Sequence, residues 1–105
     1  MEQAERNKEY ALYTLAILSK TYTDEVQRHT GNVVPLTELP GVSEIVDTLR
    51  TNKNPGIKVA AIDSLRYLNK PEYKDEIKSV LEIATKDDNH FVAENAAYAL
   101  KSIEK

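Results

Sequence analysis

A constant offset of 35 positions relates two segments of this chain without a gap, and it restricts the fold more than any other feature. Ile57, Ala61, Ile62, Leu65 and Leu68 pair with Val92, Ala96, Ala97, Leu100 and Ile103 (92 − 57 = 35). Val42, Ile45, Val46 and Leu49 pair with Ile77, Val80, Leu81 and Ala84 at the same offset (77 − 42 = 35). Each set is spaced for one face of a helix. Val42, Ile45, Val46 and Leu49 fall at i, i+3, i+4 and i+7, and their mates repeat the pattern. Each unit therefore reads as two amphipathic helices. Such a unit cannot bury its apolar face alone, so repeats of this kind stack and share a core.

The helix boundaries are written in the turns. Asn52-Lys53-Asn54-Pro55 and Asp87-Asp88-Asn89-His90 separate the two helices of each unit. Asn and Asp side chains bond nearby backbone groups in turns. Pro55 lacks an N–H and suits a helix start. Pro40 is expected to open the first helix of one unit, and Asn69-Lys70-Pro71 to divide the units. The N-terminal part supplies half a unit more. Ala11, Leu12, Leu15 and Leu18 match Ala61, Ile62, Leu65 and Leu68 at an offset of 50 (61 − 11). This makes residues 6–20 a helix of the second type whose first-type partner is missing. Asp24 and Arg28 are spaced for an i,i+4 ion pair that prolongs it toward residue 30. Gly31-Asn32 is a helix stop, and Val33-Val34-Pro35-Leu36 reads as an extended connection. The expected division of one domain, residues 1–105, is a helix over 6–30, a connection over 31–39, and repeats over 40–69 and 71–104.

These residues resemble the HEAT-repeat family and its relatives with lyase-type repeats. In that family a turn of Asp, any residue, Asp or Asn, then Pro precedes Val-Arg and a helix rich in Ala and Leu. Here Asn52, Asn54, Pro55 and Ile57-Lys58 lead into Ala61-Ile62 and Leu65. Asp87, Asn89 and Val92 lead into Ala96-Ala97 and Leu100. Asn52 stands in place of the family's Asp, His90 in place of its Pro, and Ala93 in place of its Arg. The resemblance implies an all-α fold, a right-handed α-α superhelix of about two and a half stacked hairpins. It also implies a link between neighbouring turns, which Asp87 facing Lys58 would supply. It says almost nothing about activity.

Composition removes several function classes. The chain has 105 residues, enough for one elongated core but not a deep pocket. Its net charge is −3, and acidic and basic residues alternate along it, so a nucleic-acid footprint is not expected. No apolar run approaches a membrane span, and the charged start is unlike a secretory signal. There is no Cys, which excludes disulfides, thiolate zinc sites and thiol nucleophiles. That absence fits a cytoplasmic protein.

No constellation points to catalysis, a metal or a cofactor. Gly31, Gly41 and Gly56 are isolated, so there is no phosphate loop. His29 and His90 lack metal-ligand spacing; His90 is expected in a turn and His29 near a helix end. Asp87-Asp88-Asn89 lacks the Gly and Glu of a calcium loop. Ser19, Ser43, Ser64, Ser79 and Ser102 have no nucleophile-elbow context. The pairs Asp24-Glu25, Asp75-Glu76 and Asp87-Asp88 read as solvated carboxylates on surfaces and helix starts.

The expectation is a protein- or peptide-binding module without enzymatic activity. Helical phase places an outer row on the second helices of the units: Glu9, Val59 and Glu94 along one edge, Tyr13, Asp63 and Tyr98 through the middle, and Lys20, Lys70 and Lys105 along the other. Arg66, Lys101 and Ala16 belong to the same row. Tyr13, Asp63, Arg66, Tyr98 and Lys101 are the candidate partner-binding residues, since Tyr and Arg most often anchor interfaces. The basic edge would suit an acidic peptide or phosphate. A solvated face in which Tyr13 and Tyr98 shield the core is the alternative. Two other roles stay open: a self-associating piece or C-terminal cap of a longer solenoid, and an accessory or lyase-type protein.

Overall fold

The computed structural model describes residues 2–104, with side chains from Asn7 to Glu104. Five α-helices follow one another: α1 (Glu2–Thr30), α2 (Val42–Thr51), α3 (Pro55–Tyr67), α4 (Lys74–Ala84) and α5 (His90–Glu104). A short 3-10 turn, Leu36–Glu38, lies between α1 and α2. The described residues contain no strand.

α1 runs unbroken because residues 2–30 hold neither Gly nor Pro. It stops at Gly31, whose φ of 75° is left-handed and whose N–H closes on the Gln27 carbonyl at 2.8 Å. The connection is extended through Pro35, but Leu36 turns back and buries its side chain instead of continuing outward. α2 begins two residues later than Pro40 suggests. Gly41 precedes it in a left-handed conformation (φ 82°), and the Pro40 carbonyl accepts a hydrogen bond from Ser19 of α1.

The two turns within the repeats are chemically equivalent. Asn52 Oδ1 accepts the Asn54 N–H at 2.8 Å, and Asn54 Oδ1 caps α3 through Gly56 and Ile57 N–H. At offset 35, Asp87 Oδ1 accepts the Asn89 N–H at 2.8 Å, and Asn89 Oδ1 accepts the Val92 N–H at 3.2 Å. Each pair is an Asx turn followed by an N-cap, which satisfies helix donors that have no intrahelical partner. His90 is the first residue of α5 and so takes the place that Pro55 holds in α3, inside the helix and not in the turn.

α3 is central. It packs against α1 on one side, α5 on the other, and α2 across the core, while α4 packs on α5. The molecule thus has a row of α1, α3 and α5 and a row of α2 and α4. Its smallest dimension, 18 Å, fits two helix layers. The repeat-derived core is present: Val42, Ile45, Leu49, Ile57, Ala61, Ile62, Leu65, Leu68, Ile77, Leu81, Ala84, Val92, Ala96 and Ile103 are buried. Ala97 is exposed, whereas its mate Ile62 of α3 is buried; among the described residues α5 packs on α3 and α4 alone.

The register of α1 differs from the offset of 50. Ala11 is exposed and Leu18 is 55% exposed. Of the expected set, Leu12 is buried and Leu15 packs partly buried against the core; Leu12, Ala16, Ser19 and Thr23 form the buried seam and align with Ile57, Ala61, Ser64 and Leu68 at an offset of 45 (57 − 12). Two polar residues can sit in that seam because each finds a partner. Ser19 donates to Pro40, and Thr23 hydrogen-bonds the Tyr73 hydroxyl at 2.6 Å. Tyr73, the largest fully buried side chain, also donates to the Val34 carbonyl at 2.5 Å, so α1, the connection and the start of α4 meet at one hydroxyl.

Candidate functional site

The row of α1, α3 and α5 brings four of the five candidate binding residues together. Arg66 lies one turn from Asp63 on α3 and pairs with it at 3.4 Å. Its guanidinium stands 5.4 Å from the Tyr98 ring centre of α5 and reaches Ser102 at 3.3 Å. The planar guanidinium is suited to both contacts. On the other flank of α3, Asp63 faces Tyr13 of α1. Burial first, then the charges of Asp63 and Glu9, push the Tyr13 hydroxyl above its ordinary pKa. Tyr98 stays 65% exposed and Tyr13 39%. Lys101 is exposed one turn beyond Tyr98.

The expected basic edge is different. Lys70 is tied to Asp24 of α1 by an ion pair, and Lys20 covers the Tyr67 ring at 4.9 Å. Lys105 lies outside the described residues. Two of the three lysines therefore stitch α1 to α3 and to the turn that follows it, and are not free for an anion. Asp24 consequently does not pair with Arg28; Arg28 takes Glu25 at 2.5 Å. Ala16, expected on the outer row, is 1% exposed. A recess of about 440 Å³ remains beside Arg66 and Ser102, where the Asn69 carboxamide oxygen has no partner among the described residues.

The outer face of α1 was not singled out by its sequence pattern. Tyr10, Ile17, Leu18 and Tyr22 are 73%, 51%, 55% and 47% exposed. Helical phase sets Tyr10, Ile17 and Leu18 opposite the Leu12-Ala16-Ser19-Thr23 seam and Tyr22 on its flank. Between Glu9 and Asp24 the only charge on this helix is Lys20, which turns toward Tyr67.

A second concavity lies away from the candidate binding residues. A groove of about 1040 Å³ opens where α2 and α4 end and α3 and α5 begin. The signal is faint in sequence, because its walls come from four separate segments. Lys58 crosses it to Asp87 at 2.5 Å, each side chain 15% exposed. That hydrogen bond, with the Asn89 N–H, holds the Asp87 carboxyl below the usual carboxylate range. Asp87 is thus a fixed, half-buried anion and not the freely solvated carboxylate expected.

Among the described residues, no group of three His, Asp or Glu side chains converges as a metal site. His29 and His90 each pair within their own helices, with Glu25 and Glu94. Ser64 is buried and donates to the Ala60 carbonyl. No helix of the described residues is long and apolar enough to cross a membrane. Comparison with family models, with curated proteins and with solved structures finds no match.

Proposed function

We propose that the chain is a protein-binding adaptor or scaffold module, a short right-handed superhelix of HEAT-like hairpins that binds through α1, α3 and α5 and catalyses nothing itself. The offset of 35 in both core and turn hydrogen bonds supports the repeat reading. Small residues support curvature toward that row: Ala16, Ser19, Ala60, Ala61, Ser64, Ala96 and Ala99 let α1, α3 and α5 approach closely, while Ile, Val and Leu hold α2 and α4 apart.

The observation that carries the binding reading is the exposed aromatic surface on one row. Tyr13, Tyr67 and Tyr98 remain 39%, 48% and 65% exposed, while Arg66 pairs with Asp63 and stands over the Tyr98 ring and Lys20 covers the Tyr67 ring. Rigid aromatic side chains lose little freedom on binding and commonly anchor interfaces. The test is capture of partners from a lysate by immobilised protein, followed by Tyr98→Ala and Arg66→Ala. Both should weaken capture while the helical circular dichroism is retained. Capture equal to wild type in both discards this surface.

The uncharged outer face of α1 favours a second reading, self-association. Sedimentation at rising concentration, with Leu18→Glu and Tyr22→Glu as controls, separates the two. A chain that stays monomeric at all concentrations removes it.

A further inference from the structure

The groove between the ends of α2 and α4 shares no residue with the α1, α3 and α5 face, and its chemistry is different. Its floor is apolar. Leu49 and Ala84 close it, Val46 and Val80 are half-buried, and Ile83 is 66% exposed. Its rim is cationic. Arg50, Lys53 and Lys86 are exposed, and none has a carboxylate within ion-pair reach among the described residues. Four cations and two carboxylates line the groove; Lys58 and Asp87 cancel and Asp88 offsets one more, which leaves a net charge of +2 (4 − 2). A chain of net charge −3 therefore carries a locally positive groove.

Helix ends do not account for this charge. Two helix C-termini and two helix N-termini meet here, so their partial charges oppose one another. Asn54 and Asn89 already cap the two N-termini. The side chains set the sign. The groove has room for a physical reason: α3 and α5 meet over a large area, whereas α2 and α4 touch over a small one.

We propose that this groove is a docking site for an acidic peptide segment of a partner protein. An apolar side chain of that segment seats on Val46, Val80 and Ile83. Its flanking carboxylates face Arg50, Lys53 and Lys86. Both halves are required: the rim supplies orientation and encounter rate, and the floor supplies burial. Free phosphate or nucleic acid would leave Ile83 uncovered, which is why a peptide with an apolar anchor fits better.

The test uses the full chain, isotope-labelled for NMR, titrated with the peptide Glu-Asp-Leu-Phe-Asp-Glu. Two control peptides replace its acids by Lys or its Leu-Phe by Ser-Ser. The expected result is that the acidic apolar peptide moves the resonances of Val46, Ile83 and Lys86, that both controls bind at least tenfold more weakly, and that added salt weakens binding. The double variant Lys53→Glu, Lys86→Glu alters two exposed positions and should lose about tenfold in affinity. Ile83→Asp should lose at least as much. Equal binding by the charge-reversed protein overturns the proposal. So do shifts confined to Tyr13, Asp63 and Tyr98, or a single-stranded oligonucleotide that binds the groove as tightly as the peptide. Because the two surfaces report on different resonances, failure here leaves the adaptor reading standing, and the reverse also holds.

Discussion

Lys58 donates to Asp87 at 2.5 Å across 29 residues of sequence, joining the first turn of α3 to the turn that opens α5. Asp87 also organises that turn through Asn89, so one carboxylate fixes both the link between units and the entry to the last helix. Asp87→Asn keeps an acceptor for the Asn89 N–H but removes the charge. It should cost about 2 kcal/mol, the usual worth of a hydrogen bond between charged groups away from bulk water. The pH dependence has a definite sign. Lys58 first, then Asn89, lowers the Asp87 pKa in the folded state. The stabilisation is therefore complete above the unfolded carboxyl pKa of about 4 and lost as pH falls through the lower folded value. Urea unfolding at pH 6 and at pH 2.5 should show a steeper acid loss for wild type than for Asp87→Asn. Parallel losses would mean the pair contributes nothing.

Gly41 and Gly31 both have positive φ, but only one is confined. A Cβ at Gly41 would stand 2.6 Å from Leu15 Cδ2 of α1, whereas a Cβ at Gly31 would meet nothing within 4 Å. Gly31→Ala should cost only the left-handed backbone penalty, about 1 kcal/mol. Gly41→Ala adds displacement of α1 and should cost about 2–4 kcal/mol. Chemical denaturation of the two variants checks the ranking, and equal losses would show that the Leu15 contact relaxes freely.

Tyr73→Phe removes the hydroxyl that serves both Thr23 and Val34. Thr23 is 1% exposed, so its hydroxyl would lose a partner in a dry environment. The expected loss is about 1–3 kcal/mol, with secondary structure unchanged. The double variant Tyr73→Phe, Thr23→Val should recover part of it, because both ends of the bond are then apolar. A single variant as stable as wild type would mean that water replaces the hydroxyl.

The repeat was legible because it is local and self-consistent. The positions paired at offset 35 and the Asn52 and Asp87 turns follow from residues in one frame, whereas the facing of Lys58 by Asp87 was expected only from the family resemblance. What was not legible depends on remote segments. Ser19 and Thr23 look like surface residues until Pro40 and Tyr73 arrive to satisfy them. Leu18 looks like core at an offset of 50, but no described helix covers it. Lys20 and Lys70 look like free cations, but Tyr67 and Asp24 occupy them. The groove of Arg50, Lys53 and Lys86 is lined from four separate segments, and no single stretch encodes it.

The register of α1 can be tested with one substitution type at two positions. Leu12 is 2% exposed and belongs to the core, whereas Leu18 is 55% exposed. Leu12→Ala deletes buried methylenes and leaves space beside α3, a loss of about 2–4 kcal/mol. Leu18→Ala removes mainly exposed surface, and Ala is at least as good a helix former, so stability should change by no more than about 0.5 kcal/mol. An offset of 50 would require the two variants to suffer alike, since Leu12 and Leu18 would then stand where Ile62 and Leu68 stand in α3. Thermal and urea unfolding decide between the registers. A loss at Leu18 comparable to that at Leu12 would place α1 with its other face inward, or would show that a second molecule covers that face, in which case the loss would grow with protein concentration.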